Sequence, residues 1–293
     1  SSTPLTTLLF AKAMQDAGLP DGVLNVITGL DHGVTDKILA DPRLRKLSFT
    51  GSTPVGRHLL SQASEHVLRT SMELGGNAPF IVFDDADLDS AVEGAMTSKY
   101  RNAGQTCVCA NRLYVQAGVY DAFVAKLAER VQGLKVGNGF EPGVTQGPLI
   151  EPAALDKVQE HIADAVAKGG RVMNDGGGAA CETLYRPAVV YPVAPSAELY
   201  SKEQFGPVVP VCAYRDEREF LDFVVNSNYG QQVSLFGHDH ERMARLIDPL
   251  SNQVCRINLN CQCQRGPDTL PFTGRKDSAE GTLSISDALR CFS

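Results

Sequence analysis

Along the first 75 residues, apolar positions switch between helical spacing and short continuous runs. Leu5, Leu8, Leu9 and Ala13 follow Thr3-Pro4 at helical intervals, and Gly18 ends that helix. Pro20-Asp-Gly22 predicts a turn, and Val23 to Ile27 a buried strand ending near Gly29. Gly33 to Ala40 reads as a short helix broken by Asp41-Pro42. Lys46 to Thr50 predicts a strand, Gly51-Ser52-Thr53-Pro54-Val55-Gly56 a turn, and the next residues a helix through Leu59 and Leu60. After Gly75-Gly76 the pattern restarts. Pro79 to Phe83 predicts a strand, and Leu88, Val92 and Met96 form the stripe of a helix over Asp85–Tyr100. A strand at Leu113–Val115 and a helix at Tyr120–Val131 follow. Val136–Val144 is a glycine-rich surface loop, Glu151–Ala167 a helix and Gly176–Gly178 a turn. This alternation predicts an α/β fold with largely parallel sheets. The domain boundary falls near residues 73–76, dividing the chain into 1–74 and 75–293.

Composition narrows the choices. The 293 residues carry a net charge of −7 and no long Lys/Arg block, so neither nucleic acid nor an anionic membrane is an expected partner. No apolar run is long enough to span a bilayer, and Ser1–Leu9 lacks the form of a signal peptide. Eight cysteines are too dilute for a disulfide scaffold; they read as reduced thiols of a cytoplasmic protein. The close pairs Cys107/Cys109 and Cys261/Cys263 lack zinc-ligand spacing, so no metal is expected.

The candidate chemistry centres on Arg101-Asn-Ala-Gly104-Gln105-Thr106-Cys107-Val-Cys109 and, upstream, Met72-Glu73-Leu74-Gly75-Gly76-Asn77. Cys107 stands in a turn of small and polar residues rather than on an apolar face, where most cysteines are buried. Glu73 precedes a Gly-Gly step where backbone can pass close to other groups. Thiol and carboxylate together are the minimum for covalent catalysis with a general base. None of the six histidines lies in a comparable turn, which argues against a Cys–His hydrolase. The thiolate must then arise from local dipoles, a bound cationic cofactor or a transient base. The turn from Gly51 to Gly56 is neither GxGxxG nor a P-loop, yet it points helix N-terminal amides toward a possible pyrophosphate.

Both runs, in this order, resemble an aldehyde dehydrogenase, and the Cys-Val-Cys form with Arg101 in front resembles the succinate-semialdehyde branch. The resemblance implies an NAD(P)-dependent oxidation of a small aldehyde, with Cys107 as nucleophile and Glu73 activating the hydrolytic water. It implies cofactor contacts at Gly51, Ser52, Gly56 and Leu74. The motif Glu203-Gln204-Phe205-Gly206-Pro207-Val208 adds Glu203 at the nicotinamide ribose and Phe205 near the ring. Arg101 matches the arginine that grips the substrate carboxylate, as a planar guanidinium can do bidentately. Cys109 matches the partner of a redox-sensitive disulfide in some members. Asn226-Ser-Asn-Tyr229-Gly230 and Pro271–Ser278 complete the pattern, with Thr273 and Ala279 standing where glycine is usual.

Residues 1–74 then read as the C-terminal part of a Rossmann-type nucleotide domain and 75–293 as the catalytic domain. The family's Pro-Trp-Asn oxyanion motif is expected upstream of Ser1, and its final oligomerisation strand beyond Ser293, so the chain reads as a fragment of a homo-oligomeric enzyme. Ser1 falls where NAD-preferring relatives carry Glu, which tilts the cofactor toward NADP⁺. Two alternatives stay open. Cys263-Gln264-Arg265-Gly266-Pro267-Asp268 resembles non-phosphorylating glyceraldehyde-3-phosphate dehydrogenases, where this arginine holds a phosphate. The chain could also be an inactive binding or structural derivative.

Overall fold

The computed structural model describes residues 3–30 and 33–292. In chain order the elements begin α1 (Leu5–Asp16), α2 (Gly33–Leu39), β1 (Lys46–Thr50), α3 (Thr53–Ser64), β2 (Arg69–Glu73), β3 (Ala78–Val82) and α4 (Leu88–Tyr100). Next come β4 (Ala110–Gln116), α5 (Tyr120–Gln132), α6 (Pro152–Ala167), β5 (Arg171–Val172), β6 (Ala188–Tyr191), α7 (Glu198–Ser201) and β7 (Val208–Tyr214). The chain continues through α8 (Glu217–Asn226), β8 (Tyr229–Gly230), β9 (Gln232–Phe236), α9 (His240–Ser251) and β10 (Arg256–Leu259). It closes with β11 (Arg275–Lys276), β12 (Ala279–Glu280) and α10 (Ile285–Phe292).

The large sheet has the order β10-β9-β3-β4-β7-β6-β5, parallel throughout except for β5. A parallel sheet covered on both faces needs strands that are apolar at every position, and β3 is buried along its whole length. Its side chains alternate between two cores. Phe80 and Val82 join α4 and α5 through Val92, Phe123 and Leu127, whereas Ile81 and Phe83 join the face carrying Leu155, Phe220 and Leu246. Asp87 starts α4 by accepting from the Ser90 amide, three residues later than the apolar stripe alone suggests.

A smaller sheet pairs β1 with β2 in parallel through the α3 crossover, and β12 joins β2 antiparallel with Ala279 opposite Glu73. This sheet is therefore not built from residues 1–74 alone. The expected strand at Val23–Ile27 does not form. Val23 and Ile27 are 64% and 67% exposed, because no strand among the described residues offers this segment a ladder to join. Helix α1 forms as expected but buries none of its residues. No helix among the described residues is long and apolar enough to cross a membrane.

Candidate active site

Strand ends of the two sheets meet at one cavity of about 1090 Å³. From the small sheet come the segments that leave β1 and β2: Gly51 and Ser52, then Glu73 and Leu74. From the large sheet come segments that lead into its strands, with Cys107 ahead of β4 and Phe205 ahead of β7. Arg101, Glu203 and Arg265 line the same cavity. Two expected site residues do not. Gly56 is buried on the inner face of α3, where a methyl group would collide with the Leu74 side chain, so its place in the structure is helix–strand packing. Cys109 is fully buried behind the nucleophile loop, and both it and Cys107 are free thiols. Ser1 lies outside the described residues.

The loop that presents Cys107 is set by an unusual backbone. Helix α4 stops at Tyr100, and Asn102, Ala103 and Gly104 all adopt left-handed conformations, with φ of 53°, 53° and 76°. Asn tolerates this and Gly is free of strain, whereas Ala103 costs roughly 1–2 kcal/mol that the surroundings must offset. They do so through side chains. Asn102 Nδ2 donates to the Gln105 carbonyl at 3.1 Å, and Gln105 Oε1 accepts from the Ile150 amide at 2.9 Å. Gly104 is obligatory on a second count, since a methyl there would strike the Gly206 carbonyl.

Gly75-Gly76 passes directly against this loop. A methyl on Gly76 would overlap the Cys107 carbonyl oxygen, which is backbone and cannot swing aside. The Gly76 amide donates to Glu203 Oε1 at 2.8 Å, and its carbonyl accepts from Asn111 Nδ2 at 3.1 Å. Gly76→Ala is therefore expected to destabilise the fold by about 1–3 kcal/mol, the range for forced overpacking. A lowered midpoint in urea unfolding checks this; an unchanged midpoint would show that the two segments do not touch.

Burial sets the electrostatics. Glu73 is 4% exposed, its Oε2 has no hydrogen-bond partner, and desolvation pushes its pKa up to about 7, with the Arg265 charge opposing the rise. The Cys107 thiol is raised above its ordinary range, chiefly by burial. A contact with Gln231 opposes the rise, and the carboxylates of Glu73 and Glu203 add to it. Glu203 is itself raised by burial, against the Gly76 amide. Arg101 forms no ion pair or hydrogen bond through its side chain among the described residues, and Arg265 stacks on Phe272 with 5.3 Å from the guanidinium to the ring centre. The Arg265 loop is held from behind, as Arg256 Nη1 donates to the carbonyls of Gln264, Arg265 and Gly266.

The motifs leave out Lys99. It is fully buried in α4, donates from Nζ to Asn111 Oδ1 at 2.6 Å and to the Gln204 carbonyl at 2.9 Å, and burial pushes its pKa down to about 8. Through Asn111 it ties Gly76 to the Glu203–Gln204 segment. The signal was present: Val92, Met96 and Lys99 share one helical stripe, so a lysine stands where the core needs an apolar residue. His161, buried with Nδ1 2.7 Å from Gln204 Oε1, was likewise not singled out.

A thiol, a buried carboxylate with a free oxygen, and two guanidinium groups around one cavity suit covalent chemistry on an anionic carbonyl compound. The sequence model of the aldehyde dehydrogenase family matches residues 1–293. The chain belongs to this family. The glutarate-semialdehyde dehydrogenase of Pseudomonas aeruginosa is 46% identical over 96% of this chain, and the Escherichia coli succinate-semialdehyde dehydrogenase [NADP(+)] GabD is 45% identical over 96%. The chain spans 58% of the length of both relatives. The crystal structure of succinate-semialdehyde dehydrogenase from Burkholderia pseudomallei superposes with a TM-score of 0.94 at 43% identity, covering 99% of this chain and 60% of that one.

At the two departures from the aldehyde dehydrogenase pattern, the backbone has no need of glycine. Neither Thr273 nor Ala279 has a positive φ. Thr273 Oγ1 donates to the Gly281 carbonyl at 2.6 Å, and Ala279 lies opposite Glu73 in β12. The preceding Ser278 accepts the Leu74 amide on its carbonyl at 2.9 Å and the Gly230 amide on its hydroxyl at 3.1 Å. This C-terminal segment thereby fixes the residues that flank Glu73.

Proposed function

We propose that the chain carries the nucleophile, the base and part of the cofactor site of an NAD(P)⁺-dependent semialdehyde dehydrogenase, with succinate semialdehyde as substrate. One observation carries the reading: Cys107, the buried and unpartnered Glu73, and Arg101 line a single cavity. The names of the relatives support a substrate with an aldehyde at one end and a carboxylate at the other.

Several groups fit the cofactor. Ser52 begins α3 with no side-chain capping bond, so its hydroxyl and the helix N-terminus are available to a phosphate. Glu203 has one oxygen on the Gly76 amide, leaving the other for a ribose hydroxyl, and the half-exposed Phe205 offers an apolar wall. When bound, NAD(P)⁺ supplies a hydride acceptor and a positive charge. The E. coli relative is named for NADP(+), which supports the lean to NADP⁺.

In this reading the Cys107 thiolate adds to the aldehyde carbon, forming a C–S bond and an alkoxide. Loss of hydride restores the C=O bond and leaves a thioester. Glu73 takes a proton from water, the water oxygen adds to the thioester carbon, and the C–S bond breaks to return the thiolate and release the acid. The free thiols of the described residues support a reducing, cytoplasmic setting, in which we place the enzyme as a homo-oligomer.

Arg101 is the test of substrate choice. In the active enzyme, Arg101→Ala is expected to raise KM for succinate semialdehyde roughly 10- to 100-fold, the worth of a charge-assisted hydrogen bond. KM for an uncharged aldehyde of similar length should barely move. Equal effects on both would remove the carboxylate assignment. The presence of Arg265 in the same cavity keeps a second reading, glyceraldehyde 3-phosphate as substrate; a preference for it that collapses in Arg265→Ala would favour that reading.

A further inference from the structure

Gln231 connects β8 to β9 at the end of the large sheet's strands where the Cys107 loop leads into β4. Its backbone is fixed, since its carbonyl accepts from the amides of Cys255 and Arg256, both at 3.2 Å. Its side chain is 3% exposed, yet neither Oε1 nor Nε2 completes a hydrogen bond among the described residues. A buried primary amide with both ends unmatched is costly and is rarely kept without a task.

The position of that amide indicates the task. A methyl built on Gly76 would meet the Cys107 carbonyl and, at 3.1 Å, Gln231 Oε1, so the carboxamide and the nucleophile loop converge on one Cα. The side chain also reaches the Cys107 thiol, without the geometry of a full hydrogen bond to it. A neutral thiol is a weak acceptor, whereas a thiolate is a strong one. We propose that Gln231 donates its Nε2–H to the Cys107 thiolate, making it a third catalytic residue beside Cys107 and Glu73. The thiol proton leaves to solvent; nothing is transferred to or from Gln231, whose hydrogen bond stabilises the anion left behind.

The surroundings make such a donor necessary. Glu73 at the end of β2 and Glu203 after α7 both act against a negative charge on the thiol. The cations on the cavity wall are Arg101, Lys157 and Arg265, and His161 lines it too. Arg265 acts on the Glu73 carboxyl, lowering its pKa. Gln231 favours the thiolate, together with the backbone at Cys107.

The inference rests on Cys107 being the nucleophile, but its test needs no turnover. Iodoacetamide alkylation of Cys107 is followed against pH by peptide mass spectrometry, which separates it from the other seven cysteines. Gln231→Met is close in shape and lacks the donor. It should move the alkylation profile about one pH unit upward, slowing the reaction roughly tenfold at pH 7. The rate at high pH, where the thiol is fully ionised, should match the parent, an outcome that a merely structural defect would not give. Gln231→Glu keeps the shape and adds a charge, so its profile should move further, and it decides the matter if the Met variant does not fold. A profile that coincides with the parent's in a folded variant overturns the proposal. An active Cys107→Ala enzyme would instead overturn the nucleophile assignment, so the two failures are distinguishable.

Discussion

Cys107→Ala is expected to lower aldehyde oxidation by roughly 10⁴- to 10⁶-fold in the active enzyme, the scale on which removal of a covalent nucleophile is felt. Cys109 cannot take its place. It is fully buried, its sulfur lies 2.8 Å from Thr106 Oγ1 and within reach of the Gly104 carbonyl, and it does not line the cavity. Nucleotide binding should survive, because the proposed contacts at Ser52 and Glu203 form no hydrogen bond with the Cys107 side chain. The fold should survive as well, since a half-buried thiol contributes little packing and the left-handed turn before it is held by Asn102 and Gln105. Steady-state assay, cofactor titration and thermal unfolding check the three parts. Turnover near that of the parent would overturn the mechanism, and loss of cofactor binding would show that the thiol also shapes the nucleotide site.

Local signals made most of the scaffold legible. Strand β1 falls at the predicted residues, and α5 and α6 match within a residue at each end, because strong periodicity coincides there with turn residues at the ends. Val23–Ile27 reads equally well as a strand, but a strand needs a neighbour, and local apolarity cannot tell whether one exists. Partners far apart in sequence were also hidden. Nothing near Ala279 announces that it lies opposite Glu73, and nothing near Arg256 announces that it holds the Arg265 loop. In the site, Cys107 and Glu73 stood out because turns of small residues surround them. Lys99, Asn111 and Gln231 did not, since each is a polar side chain whose role depends on a buried group from another segment. Gly56 is the converse case. It belongs to the glycine turn by sequence, yet its contact is with Leu74 rather than with the cavity.

Glu73→Gln should separate the two halves of the reaction. Acylation of Cys107 needs no base at residue 73, so a burst of reduced cofactor matching the number of sites is expected, followed by turnover slowed roughly 10²- to 10⁴-fold as the thioester persists. In the parent, the hydrolytic step should rise with pH and level off above a midpoint near 7, because only the ionised carboxylate can take a proton from water and burial holds its pKa at about 7. The glutamine variant should lose that midpoint. Stability gives an independent reading with the opposite slope. A carboxyl whose folded pKa lies above its ordinary value of 4.5 stabilises the fold fully below about 4.5, and that contribution is lost as pH rises through about 7. At pH 8 the parent thus bears the cost of a buried charge, on the order of 3 kcal/mol for a rise of this size. Glutamine cannot ionise, so Glu73→Gln should unfold at higher denaturant than the parent at pH 8 and show little difference at pH 4. Absence of the burst would place Glu73 before or during hydride loss. A stability difference independent of pH would show that its carboxyl is not desolvated as the structure has it.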